Sequence, residues 1–217
     1  MKIGIIGSGE VGQTLATAFL SEGNEVMLGS RNPSKEEVIK WKKGNPKAQT
    51  GTFAETAAFG ELLVVSVNGE VAEEAIKQAG TKNFSNKIVI DTMNPIAHKP
   101  PVNGVLSFFT PPDGSLLEKL QQLLPDAKLV KAFNIVGAPL MYKPKLKGGP
   151  PTMFICGNDD AAKKTVTDIL TKFGWETEDM GMAEAARAIE PLCVLWCIPG
   201  FLRNQWSHAF KLLKSEV

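Results

Sequence analysis

Lys2-Ile3-Gly4-Ile5-Ile6, Gly7-Ser8-Gly9-Glu10-Val11-Gly12 and, after one helix and a short apolar run, Ser30-Arg31-Asn32-Pro33-Ser34-Lys35 decide how this chain folds. A short apolar run that stops at glycine reads as a buried parallel strand. In the turn that follows, Gly7 permits a tight bend, Gly9 leaves room for a phosphate to meet bare backbone, and Gly12 lets the next helix pack against the strand. The free N–H groups of that helix start, helped by its dipole, suit a pyrophosphate. Ser8 and the backbone of Glu10 and Val11 complete the cradle, and the Glu10 carboxylate is expected to point outward. A glycine pattern alone is weak, but a strand before it and an amphipathic helix after it supply the context that makes it specific.

The second strand fixes which dinucleotide. An NAD site places an acid about twenty residues on, where it grips the ribose 2′-hydroxyl. Here the strand ends in Gly29-Ser30-Arg31, with Lys35 one turn further and no carboxylate. A hydroxyl, a guanidinium and an ammonium are the donors a 2′-phosphate needs. Ser30, Arg31 and Lys35 therefore read as a clamp for NADP(H). The chain has only three arginines, Arg31, Arg187 and Arg203, so one of them lies at this clamp.

Outward from this start, strands and helices alternate. Strands are expected at residues 2–6, 25–28, 50–53, 62–67, 87–91 and 128–133. Helices are expected at 11–21, 34–43 (capped by Ser34), 71–78 and 116–124. Residues 96–114 form a long loop, and residues 138–151, rich in Pro, Gly and Lys, form another. A strand (153–156), a helix (161–173), a strand (175–179) and a helical region from about Ala183 follow. The pattern implies an α/β fold: a doubly wound, mostly parallel Rossmann sheet with a small C-terminal βαβα extension. The expected division is an NADP-binding domain at 1–145 and a small C-terminal part at 146–217. In such a sheet the ligand lies in the crevice at the carboxyl ends of the strands.

Those strand ends are Val67-Asn68-Gly69, Asp91-Thr92-Met93-Asn94-Pro95 and Phe133-Asn134-Ile135-Val136-Gly137-Ala138. Val67, Pro95 and Ala138 are expected to border the nicotinamide. Asn68, Asn94 and Asn134 are candidates to bond its ribose or carboxamide; the alternative is that each satisfies its own turn. A proton donor is harder to find. His98 and His208 are the only histidines, and Tyr142 is the only tyrosine, in no catalytic signature. Reduction of a carbonyl needs such a donor, whereas a flavin-like ring does not need one from the protein. Three readings follow. They are a reductase of a flavin-like acceptor, a non-catalytic NADP(H)-binding sensor, and a reductase of a small imine or carbonyl.

The bulk properties narrow the setting. A net charge of +1 and a pI near 7.7 give no field for nucleic acid or membrane. Cys156, Cys193 and Cys197 form no C-x-x-C pair, and Cys193 and Cys197, four apart in an apolar helical run, read as core thiols, which suits a reducing cytosol. No signal peptide is expected ahead of the first strand. The apolar run at 191–202 reads as too short for a bilayer and as interrupted by Pro199-Gly200.

The chain resembles the NADP oxidoreductases that are coenzyme F420-dependent, or classed with them, over nearly its whole length. The cradle and clamp carry part of the resemblance. Asp91-Thr92-Met93-Asn94-Pro95, Val130-Lys131-Ala132-Phe133-Asn134, Cys156-Gly157-Asn158-Asp159-Asp160, and Ala186-Arg187 with Glu190-Pro191-Leu192 carry the more telling part. The Val130–Asn134 run is also similar to one in the cytosolic reductase domain of the six-transmembrane metalloreductases. The resemblance implies direct hydride transfer between the nicotinamide and a deazaflavin (F420) or flavin, in a crevice between the main domain and the C-terminal part. It also implies a cytoplasmic homodimer built through the C-terminal helices. Asn68-Gly69-Glu70 stands where the deazaflavin enzymes carry a proline and bulkier residues.

Overall fold

The computed structural model describes residues 1–215. Ile3 to Ile6 of β1 (Lys2–Ile6) are all buried, so this strand takes the centre of the sheet. It pairs in parallel with β2 (Glu25–Gly29) on one side and β4 (Leu62–Val65) on the other. β3 (Gln49–Gly51) adds outside β2, while β5 (Ile88–Asp91) and β6 (Lys128–Lys131) add outside β4. All six strands are parallel, in the order β3-β2-β1-β4-β5-β6. The order reverses between β1 and β4, which opens a crevice above their carboxyl ends. Between the strands run α1 (Glu10–Ser21), α2 (Glu36–Gly44), α3 (Phe53–Phe59), α4 (Ala72–Ala79) and α5 (Leu116–Leu123).

A second, two-stranded parallel sheet follows, β7 (Thr152–Ile155) with β8 (Glu176–Asp179), crossed by α6 (Asp160–Lys172). One antiparallel bridge couples it to the main sheet, where the Lys131 N–H donates to the Cys156 carbonyl at 2.9 Å. After α7 (Ala186–Arg203) the chain returns to β7, and the Thr152 N–H donates to the Phe210 carbonyl at 2.8 Å. All three cysteines are free; Cys156 and Cys193 are buried and Cys197 half-buried. Burial pushes the Cys156 thiol up to about 12, so it is inert.

Several local expectations are corrected. The third strand stops at Gly51, and Phe53 begins a helix instead. Thr52 and Glu55 form a reciprocal capping box there, which outweighs the β preference of Thr and Phe. Ser34 does not cap α2; its N–H donates to Asn32 Oδ1, and Lys35 takes the cap position without a side-chain bond. The sixth strand ends at Lys131 because Phe133 turns out of it with φ at +64°. Pro199-Gly200 does not interrupt the last helix, which runs through both Pro191 and Pro199. Each proline removes one helical bond, but packing holds the helix straight through: Trp196 fits against the bare face of Gly137, and Trp206 covers Gly200. The stretch Ala183–Arg203 is long and apolar enough to cross a membrane by length and composition. Here its stripe of Ala186, Ile189, Glu190, Cys193, Trp196 and Gly200 is buried in the fold.

Glu190 on that stripe reaches a fully buried ammonium. Lys131 Nζ forms ion pairs with Asp91 Oδ2 at 2.7 Å and Glu190 Oε1 at 2.8 Å, and donates to the Met93 carbonyl at 2.9 Å. Burial alone would push this ammonium down. Asp91 and then Glu190 outweigh burial and hold it above the usual lysine range. Glu190 also accepts the N–H groups of Leu116 and Leu117, so the positive end of α5 takes up the second carboxylate's charge. Lys131→Met leaves two buried carboxylates without their cation and should cost about 3–5 kcal/mol in urea denaturation. A loss below about 1 kcal/mol, the scale of a surface pair, would show that they do not depend on it.

Candidate dinucleotide site

A cavity of about 260 Å³ opens over the carboxyl ends of β1 and β4. Gly7, Ser8, Gly9, Ser30, Arg31, Lys35, Val67 and Asn68 line it, all of them marked by the sequence. Phe53, Ser66, Val71, Glu74, Ala75 and Gln78 complete the wall, and the sequence reading missed these six. Phe53 was lost to the misplaced third strand. The other signal available was the helical spacing of 71, 74, 75 and 78, which puts them on one face.

The glycines divide their work by contact. A Cβ on Gly12 would stand 1.9 Å from the Gly7 carbonyl oxygen, so only glycine lets α1 leave the strand at this angle. A Cβ on Gly9 would meet nothing within 4 Å and would project into open space. Gly9 is the N-cap of α1, no side chain caps the helix, and the N–H groups of Glu10, Val11 and Gly12 remain at its open end. The Glu10 side chain is exposed.

At the clamp the three residues differ. Ser30 is buried; its hydroxyl donates to the Asn32 carbonyl at 3.0 Å and accepts the Ser8 hydroxyl at 3.1 Å. It braces the loop. Arg31 and Lys35 are exposed, and neither has an acidic partner among the described residues. Two unneutralised cations beside an uncapped helix start are a fitting donor set for a phosphorylated dinucleotide.

Asn94, Pro95, Asn134 and Ala138 lie outside this cavity, at the ends of β5 and β6. The Asn68 side chain satisfies its own turn, accepting the Glu70 N–H at 2.9 Å. Asn94 and Asn134 pair with each other: Asn134 Nδ2 donates to Asn94 Oδ1 at 2.9 Å, and Asn94 Nδ2 donates to the Asn134 carbonyl at 2.7 Å. Asn134 Oδ1 is buried without a donor, an open acceptor. A Cβ on Gly69 would stand 2.2 Å from the Asn94 carbonyl oxygen. That backbone contact joins the cavity's end at Asn68 to the amide pair. Pro95 and Ala138 are buried, and the Pro95 carbonyl accepts Phe109 N–H at 2.9 Å, holding loop 96–114 over this end.

A doubly wound sheet with an open helix start and two free cations defines an NADP-binding protein of the Rossmann class. The family described as NADP oxidoreductase, coenzyme F420-dependent, matches residues 2–95. The F420-dependent NADP reductase of Methanocaldococcus jannaschii is 32% identical over 208 residues, covering 90% of each chain. Metalloreductase STEAP3 of Rattus norvegicus is 31% identical over 212 residues, which span 93% of this chain but only 39% of that protein. A crystal structure from Arthrobacter sp. FB24, provisionally assigned as an F420 dependent NADP-reductase, superposes with a TM-score of 0.92. That structure is 32% identical, and the match covers 99% of this chain and 100% of the other. The chain belongs to the coenzyme F420-dependent NADP oxidoreductase family, and it is an NADP-dependent oxidoreductase.

One set of titrations separates the roles of the cradle and clamp. Gly9→Ala should leave stability within about 0.5 kcal/mol, the range of a neutral surface change, yet weaken NADPH. Gly12→Ala should cost about 1–3 kcal/mol of stability by overpacking. Arg31→Ala should weaken NADPH by about 1.5–3 kcal/mol, the scale of a charged hydrogen bond, and NADH much less. Equal losses for both nucleotides would mean that Arg31 does not read the 2′-phosphate.

Proposed function

We propose that the chain exchanges hydride directly between NADP(H) and a flavin-like or deazaflavin acceptor of the F420 type. The observation that carries this reading is that, among the described residues, the polar groups at the β5 and β6 ends are paired amides and a buried, ion-paired ammonium. Asn94 and Asn134 are amides bonded to each other, and the Lys131 ammonium is fully buried between two carboxylates and the Met93 carbonyl. The Tyr142 hydroxyl and the Lys143 ammonium are both bonded to Glu22, 2.7 and 2.8 Å away. The His208 ring stacks on Trp196 at 5.1 Å and bonds its carbonyl. His98 is exposed on loop 96–114, tied through its backbone N–H to Glu70.

NADPH, when bound, supplies two electrons and a hydrogen nucleus from its nicotinamide ring. The chain's residues hold and orient it. Arg31 and Lys35 take the 2′-phosphate, and the start of α1 takes the pyrophosphate. Catalysis by proximity and orientation then suffices for an acceptor whose ring stores the charge itself. The relatives' names support F420 as the acceptor.

The test is NADPH oxidation screened against F420, FMN, FAD, riboflavin and ferric chelates. Turnover of a ring acceptor, kept by His98→Ala, is the expected result. Turnover only of an imine or carbonyl, lost in His98→Ala, overturns the reading. Tight NADPH binding without any turnover would favour a sensor.

We also propose that two copies pack through α7 in the cytoplasm. Leu195, Phe201 and Leu202 leave about half of their surface exposed there, an apolar face that suits a second copy. Sedimentation should give a dimer that Leu195→Glu splits; a wild-type monomer overturns this.

A further inference from the structure

We propose that Glu74 and Gln78 of α4 read the 6-amino edge of the adenine base and make the site selective against 6-oxopurine dinucleotides. The proposal rests on the NADP(H) reading of the cavity.

The cavity has two unlike walls. Ser30, Arg31 and Lys35 approach from the end of β2; Val71, Glu74, Ala75 and Gln78 approach from the far side of β1, along the helix that follows β4. Residues 71, 74, 75 and 78 fall at i, i+3, i+4 and i+7, a single helix face turned to the cavity. Val71 and Ala75 give it an apolar surface, and Phe53 stands at the start of α3. Such surfaces suit a flat heterocycle.

Glu74 needs an explanation. A carboxylate in a site for a polyanion weakens binding by repulsion unless it faces a donor on an uncharged part of the ligand. The adenine base is that part. Gln78 Nε2 donates to Glu74 Oε1 at 2.9 Å, which fixes the pair and leaves Glu74 Oε2 open as an acceptor beside the second amide hydrogen of Gln78. An acceptor next to a donor complements adenine, whose 6-amino donor adjoins a ring-nitrogen acceptor. A 6-oxopurine presents an oxygen to the carboxylate in place of that donor. Sites built to hydrogen-bond a group reject the analogue lacking it.

Calorimetry with NADPH and its reduced hypoxanthine analogue tests this on the full chain. The wild type should favour NADPH by about tenfold or more, the scale of a paired base contact. In Glu74→Gln, whose new amide can donate to the 6-oxo group, the preference should fall to within about threefold, mainly through tighter binding of the analogue. The preference for NADPH over NADH should stay unchanged, because Arg31 and Lys35 set it. Tight NADPH binding with no discrimination, or full discrimination kept by Glu74→Gln, overturns the base reading alone. Failure of the wild type to bind either form overturns both this proposal and the NADP(H) reading beneath it.

Discussion

The buried Lys131 ammonium is the point on which the β5 and β6 ends and α7 depend. It pairs with the carboxylates of Asp91 at the end of β5 and Glu190 on α7, and donates to the carbonyl of Met93. These groups come from two segments far apart in sequence, the turn at 91–93 and α7, so the ammonium ties both to β6. Taking these charges out of water costs several kcal/mol each. Pairing with two carboxylates, one of them shared by the start of α5, offsets the cost. A greasy core at the same place could slide by a residue; a paired ion cluster cannot without stranding a charge.

The cluster also sets what lies above it. Fixing the Met93 carbonyl leaves Asn94 one residue on, where it meets Asn134 from β6. Phe133 reaches this point through a left-handed backbone, unusual for a bulky residue and costing about 1–3 kcal/mol. Its ring is fully buried and lies 6.0 Å from that of Phe173, which is packing enough to hold the turn. The order at the strand ends thus comes from an ion cluster below and an aromatic contact beside it.

This explains which parts of the molecule the sequence shows. The phosphate cradle is built within six residues, and its glycines are dictated by contacts among themselves, as Gly12 against Gly7 demonstrates. A local rule reads it. The motifs around Asp91, Lys131 and Glu190 stand out in the sequence as well, but forty and fifty-nine residues separate them. Only folding makes them one object, because no periodicity encodes a contact at that distance. Where local reading failed, a second local signal competed with it. Phe53 follows two threonines and looks like strand, yet Thr52 and Glu55 three residues apart spell a capping box. Pro199 looks like a helix end, yet contacts of Trp196 and Trp206 made elsewhere keep the helix whole. The missed helix start matters to the site, since it places Phe53 in the cavity wall.

Charge is unevenly distributed over the crevice, in the order that the proposed dinucleotide reading needs. Two unpaired cations stand at the β2 edge, bare backbone N–H groups at the start of α1, and neutral amides at the β5 and β6 ends. On the proposed NADP(H) reading the first suits a phosphorylated ribose and the second a pyrophosphate, which leaves the third for the uncharged carboxamide. Reversing the ligand would set a 2′-phosphate beside two buried carboxylates whose only cation is already shared between them. The ion cluster therefore does more than hold the strand ends. On the proposed reading its net negative charge disfavours a 2′-phosphate at these strand ends, while Arg31 and Lys35 favour one at the opposite edge.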